Sequence, residues 1–161
     1  EYAGVGPMAA VAGAMAENVG RALLESGCNE VVVENGGDVF LKKNHDARIA
    51  IYAGESPLSN KVGLELDADQ MPIGICTSSG RIGHSLSFGE ADSVTVLAES
   101  TALADAVATR LGNEVGKSSE GKQGIERALE ISQTIDGICG TIVISGELMG
   151  AVGGVKLIRL G

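Results

Sequence analysis

The sequence predicts an α+β domain in which short antiparallel strands pack on helices. Two patterns point there. Three stretches of helical periodicity interrupt clusters of short, β-branched apolar runs, and those runs are joined by Gly-rich turns rather than by regularly alternating helices, which argues for layers over a doubly wound parallel sheet. The composition agrees. Hydrophobic residues make up 44% of the 161 residues but aromatics only 2%, so the core must be filled by Val, Ile, Leu, Met and much Ala. Glycine, at 24 residues, is about twice its usual share and implies tight turns and close backbone contacts. This length suits one domain spanning 1–161, with one core.

The first helix is expected over 8–26: Pro7 suits a first helical turn, Ala-rich sequence follows, and Gly27 is a natural stop. Met8, Val11, Met15, Val19 and Leu23 form an apolar stripe, and Ala9, Ala12, Gly13, Ala16 and Gly20 a second stripe of small residues that lets another backbone approach. Val31-Val32-Val33 reads as a strand, Asn35-Gly36-Gly37-Asp38 as a turn, and 39–42 as its antiparallel partner. Further strands are expected at 48–52, 73–77, 84–88 and 93–98, with a long connection over 54–72 holding one short strand. A second helix over 101–112 has Ser100 as N-cap and Leu103, Val107 and Leu111 as its core stripe. A third covers 122–133, and strands at 141–145, 148–151 and 155–160 close the chain. Helices one and two align small residue on small residue, and strand-turn units follow at 31–38 and 142–149, so an internal duplication is entertained.

A net charge of −9, with no basic cluster and almost no aromatic stacking platform, argues against nucleic acid. An anionic ligand would need local donors or a bound cation to overcome that repulsion. No apolar run is long enough to span a membrane. Cys28, Cys76 and Cys139 are odd in number and widely spaced, which reads as reduced, buried thiols and a cytoplasmic setting. Glu rather than Met at position 1 suggests that a native N-terminal segment is missing.

Three constellations carry chemistry. Asp105 and Thr109 lie one turn apart on the helix face opposite Leu103, Val107 and Leu111, amid Ala102, Ala106 and Gly112. Both are hard oxygen ligands suited to Mg²⁺, and a face this poor in Lys and Glu is not a solvated one, so something packs on it. Thr77, Ser78, Ser79, Gly80 and Arg81 leave an apolar strand with the donor set for a phosphate or carboxylate, and His84 follows as a candidate acid or base; a polar loop with a structural His is the alternative. The Asn35–Asp38 segment serves either as a tight hairpin or as a turn exposing backbone N–H groups to a ligand. Glu17 would add a second carboxylate if the small faces of both helices meet. His45, at a polar hairpin tip, is assigned no role.

Taken in order, Val33-Glu34-Asn35-Gly36-Gly37-Asp38, Thr77-Ser78-Ser79-Gly80, Gly83-His84-Ser85, and Ser93 to Leu97 with Ala104-Asp105-Ala106-Val107-Ala108-Thr109 resemble the ApbE family. The resemblance implies an ApbE-like fold, a nucleotide-sized pocket and Mg²⁺-dependent movement of FMN from FAD to a Thr or Ser of a target protein. It also implies that Asp105 and Thr109 are metal ligands, that His84 matches the His of the family's S-H-x-x-D-P segment, and that Asn35, Gly36, Gly37 and Asp38 form a turn beside the flavin, with Thr77–Gly80 as the family's T-S-G loop. Two segments depart from the pattern. Ser85-Leu86-Ser87-Phe88-Gly89 stands where ApbE has D-P-R-T-G, and Val11-Ala12-Gly13-Ala14 where ApbE has A-K-G-Y; the chain is closer to shorter prokaryotic relatives. Two functions follow as expectations: an ApbE-like protein binding a phosphate-bearing ligand such as FAD or FMN with Mg²⁺, or a non-catalytic homo-oligomeric or small-molecule-binding domain whose Ala/Gly faces only pack helices.

Overall fold

Helix α1 (Val11–Glu25) follows a 3₁₀ turn (Pro7–Ala10) and ends where Gly27, at φ +102°, turns the chain. The Gly27 and Cys28 N–H groups donate back to the Leu24 and Leu23 carbonyls, the paired bonds of a Schellman stop. The structure is a computed structural model that describes residues 4–79, 91–115 and 121–161. Strands β1 (Val31–Asn35) and β2 (Asp38–Lys42) form a hairpin, followed by β3 (Ala47–Ala50), β4 (Val62–Leu66), β5 (Ile73–Ser78) and β6 (Ser93–Ala98). Helices α2 (Thr101–Val115) and α3 (Gly121–Ser132) precede β7 (Ile138–Ser145), β8 (Leu148–Gly153) and β9 (Lys156–Arg159). The strand expected at 84–88 lies outside the described residues.

Among the described residues two antiparallel sheets result, a six-stranded one in the order β1-β2-β5-β6-β7-β8 and a three-stranded one in the order β3-β4-β9. All three helices cover one face of the larger sheet, α1 over β1 and β2, α2 over β5 and β6, α3 over β7 and β8. The smaller sheet covers the other face. Strand alternation decides which side chain goes where: Cys76, Val94, Val96 and Val143 meet Ala104, Val107, Ala108 and Leu111 of α2, while Leu41, Ile73, Ile75, Leu97, Ile142 and Ile144 meet Ile51, Leu64 and Leu66. This is the α+β layering the sequence predicts. The two expected strand-turn units enter the sheet differently, the first through its second strand (β2 on β5) and the last through its first (β7 on β6).

Helix α1 reverses the burial that hydrophobicity alone would assign. Its small stripe is inside, with Gly13, Ala16 and Gly20 buried, whereas Met8, Val11, Met15, Val19 and Leu23 are 40–79% exposed. Close approach explains it. A Cβ on Gly20 would run into the Phe40 ring, and one on Gly13 would stand 2.5 Å from the Thr101 carbonyl oxygen, so only the glycine face lets α1 reach β2 and α2. Cys76 is buried as expected, but Cys28 is exposed, because it follows the helix stop on the surface rather than entering a strand.

Candidate functional site

The small faces of α1 and α2 do meet, and Asp105 is the polar group at the contact. Its Oδ2 accepts the Gly13 N–H at 2.9 Å, a bond that the missing Cβ of Gly13 makes reachable. Burial raises the Asp105 carboxyl above its ordinary value, and the Gly13 bond offsets part of that. Glu17 is spent elsewhere. Its Oε2 accepts from Ser100 Oγ (3.0 Å) and from the Thr101 and Ala102 N–H groups (2.8 and 3.3 Å), capping the N-terminus of α2 from a neighbouring helix, while Arg21 holds Oε1 at 2.7 Å.

The second carboxylate beside Asp105 comes from the turn instead. Alternation along β2 points Asp38 and Phe40 to the helices and Val39 and Leu41 to the smaller sheet, so Asp38 lies buried on the helix face opposite Cys76 of β5. Asp38, Asp105 and Thr109 line one cleft of about 520 Å³, walled by the 3₁₀ turn and the start of α1. Burial first, and then the Asp105 charge, push the Asp38 carboxyl up to about 7. Burial, with Asp38 beside it, keeps the Cys76 thiol protonated. No basic side chain lines this cleft among the described residues.

That electrostatics carries a pH signature. The ordinary Asp38 value is 3.8 and its folded value about 7, so across this window the folded state holds a proton that the unfolded state has lost, and stability falls as pH rises. Asp38→Asn keeps the shape without the charge. It is expected to raise the melting temperature of the metal-free protein at about pH 8 and to change it much less at about pH 4.5, as read from thermal melts; equal gains at both pH values would contradict the raised carboxyl.

The residues grouped as one ligand set are divided between the two faces of the sheet. Gly36 and Gly37, at φ +68° and +103°, form the primed hairpin turn that the right-handed twist of the strands favours. Together with Thr77 and Ser79 they line a second cavity, about 250 Å³, between the two sheets. Asn35 instead donates through Nδ2 to the Ala12 carbonyl (3.2 Å) and ties β1 to α1. Ser78 ends β5, on the helix-facing side by alternation. Gly80 and His84 lie outside the described residues. His45 is exposed beside Glu30. Sequence reasoning missed Thr95 and Tyr52 of the inter-sheet cavity and Asn113 of the carboxylate cleft; the Asn113 signal was its place one turn beyond Thr109 on the same helix face.

A family model described as AbpE bacteria matches residues 1–143. The chain belongs to this AbpE family. The resemblance read from the four ordered motifs is thereby borne out. A UPF0280 protein of Methanococcus vannielii is 46% identical over 99% of this chain and 65% of its own length. Across such curated relatives this AbpE-family chain spans about 60% to 65% of their length. Among solved structures, the ApbE protein of Thermotoga maritima aligns with a TM-score of 0.62 at 16% identity, covering 94% of this chain and 49% of that one. The apo flavinyl transferase ApbE of Pseudomonas stutzeri aligns at 0.58 with 22% identity, covering 89% and 47%. At these identities the likeness is one of fold. No helix among the described residues is long and apolar enough to cross a membrane.

Proposed function

We propose that the helix-face cleft binds a phosphate-bearing ligand, a flavin nucleotide such as FMN or FAD, through a Mg²⁺ ion held by Asp105 and Thr109 with Asp38 as the second carboxylate. One observation carries the reading: two carboxylates are brought together in a cleft whose described lining holds no basic side chain, in a chain already at net charge −9. A divalent cation offsets the burial and mutual repulsion that raise Asp38. The donor set is all hard oxygen, and no group of three His, Cys, Asp or Glu suited to a metal occurs among the described residues. Two carboxylates and a hydroxyl suit an ion that retains water and substrate phosphate better than one that demands a closed protein cage.

When bound, Mg²⁺ would polarise a phosphoryl oxygen and neutralise charge developing on it. Gly13 fixes the Asp105 carboxylate through its N–H, the 3₁₀ turn walls the cleft, and His84 is the proposed acid-base group for transfer of FMN from FAD to an acceptor hydroxyl, in which the new P–O bond forms as the pyrophosphate P–O bond breaks and AMP leaves. The solved structural neighbours from Pseudomonas stutzeri and Vibrio cholerae are flavin transferases, and the two carboxylates and hydroxyl of the cleft are consistent with metal-assisted chemistry of that class.

The test is thermal. FAD, FMN or ADP in the presence of Mg²⁺ is expected to raise the melting temperature, with stabilisation near 2.7 kcal/mol at a hundredfold excess over Kd, and EDTA should remove most of the gain. No shift with any of the three at millimolar concentration would sink the proposal.

A further inference from the structure

The six-stranded sheet ends on β1, which pairs with β2 and has no neighbour on its outer edge among the described residues. Nothing in its sequence blunts that edge. The other three sheet edges carry residues that discourage pairing, Gly150 and Gly153 in β8, Arg48 in β3, and Lys156 and Arg159 in β9. Strand β1 has no Lys, Arg, Pro or Gly, and its Val32 is 59% exposed.

Helix α1 leaves an apolar face bare at the same edge. The Ala12 carbonyl, accepting from Asn35 of β1, marks the β1 side of the helix, and Val19 and Leu23 stand on that side about two and three turns further on. Glu17 caps α2 from the opposite side. Met15, Val19 and Leu23 are 40–57% exposed, so an open strand edge and an uncovered apolar helix face form one continuous surface.

The second half of the chain shows what fits there. Its elements run β5-β6-α2-α3-β7-β8 along the chain and β5-β6-β7-β8 across the sheet, with α2 over the first pair of strands and α3 over the second. The α1-β1-β2 segment repeats the last three of these. Gly27 and Gly36, at φ +102° and +68°, bracket the helix exit and hairpin turn, and Gly137 and Gly146, at +87° and +60°, do so at the same interval. By this correspondence β7 matches β1 and α3 matches α1. Yet β7 also pairs with β6, and α3 packs beside α2; the bare surface is where the counterparts of β6 and α2 would lie.

We propose that this surface docks a strand-strand-helix unit with the topology of β5-β6-α2, carried in the part of the longer relatives that this chain does not span. One strand of the unit pairs antiparallel with β1 and extends the sheet, while its helix covers Met15, Val19 and Leu23 as α2 flanks α3. The relatives have room for it. This chain spans about 60% to 65% of their length, and the template unit occupies only residues 73–115. Charge disfavours a second copy as the occupant, because two chains at net charge −9 would meet along an edge bearing Glu30 and Glu34. The docking surface is independent of the metal reading.

Val19→Lys tests it in two proteins, this chain and, at the aligned position, the full-length UPF0280 protein of Methanococcus vannielii. In this chain the side chain stays in water and the melting temperature should barely move; in the longer protein the lysine enters a helix contact, and a loss of about 5 °C or more is expected. Equal shifts in the two proteins, large or small, overturn the proposal. Should the longer variant not fold, hydrogen exchange of the unsubstituted proteins decides. The peptide aligned with Val31–Asn35 is expected to exchange in the longer protein as slowly as the one aligned with β7, and at least about tenfold faster in this chain. Fast exchange in both overturns the docking. So does a dimer of this chain, seen by sedimentation equilibrium, that Val19→Lys dissociates, since a second copy would then be the occupant.

Discussion

Asp105→Asn should weaken Mg²⁺ binding by about tenfold or more, at least ~1.4 kcal/mol, and remove the Mg²⁺-dependent part of nucleotide affinity, while the metal-free protein melts no lower than wild type. The asymmetry follows from what Asp105 touches. Asparagine retains an oxygen to accept the Gly13 N–H, so the α1–α2 contact survives, but it removes a carboxylate that burial has already raised above its ordinary value. Losing that charge relieves the apo protein at neutral pH and strips the ion of its charged ligand. Calorimetric Mg²⁺ titration alongside thermal melts reads both halves. If stability falls by about 1 to 3 kcal/mol with or without metal, Asp105 is a structural group and the metal site is wrong.

Gly13→Ala is expected to be strongly destabilising for a single added methyl. The added Cβ would stand 2.5 Å from the Thr101 carbonyl oxygen and 2.7 Å from the Asp105 Cβ, and backbone cannot swing aside as a flexible side chain can. Helix α1 must move off α2, breaking the Gly13–Asp105 bond and loosening the Glu17 cap on Thr101. Overpacking of this kind costs typically 1–3 kcal/mol, and Ala's better helix propensity returns at most about 1 kcal/mol of it. Circular-dichroism melts should show a lower melting temperature for Gly13→Ala and little change for Ala14→Ser, its neighbour away from the contact. A neutral Gly13→Ala would mean that the glycine face does not set the helix spacing.

Much of the fold is legible because local signals agree with one another. The Asn-Gly-Gly-Asp turn names its hairpin, Pro7 and Gly27 bracket α1, and the Ala-rich surroundings of Asp105 correctly indicate a packed face, which α1 covers. Burial on α1 is not legible, since periodicity shows that a helix has two faces but not which one a neighbour can approach; Gly13 and Gly20 decide it through Thr101 and Phe40, residues that only the tertiary structure brings near. The site divides the same way. Asp105 and Thr109 are found together because helical spacing fixes their relation, whereas the Asp38–Asp105 pair depends on strand alternation in β2 and on α2 docking over β5, and Asp38 therefore reads in sequence as part of the turn. Glu17 shows the converse: its place on the right helix face is legible, but its capping of α2 depends on where Ser100 and Thr101 arrive.

The most direct test of the central claim uses Mn²⁺ as a paramagnetic substitute for Mg²⁺ in heteronuclear NMR of the full chain. At substoichiometric Mn²⁺ the amide signals of Gly13, Asp38, Asp105 and Thr109 should broaden first and together, and excess Mg²⁺ should restore them. Broadening that is spread over exposed acidic positions such as Glu25, Asp67 and Asp69, with those four signals untouched, would show that the cleft holds no metal and contradict the account.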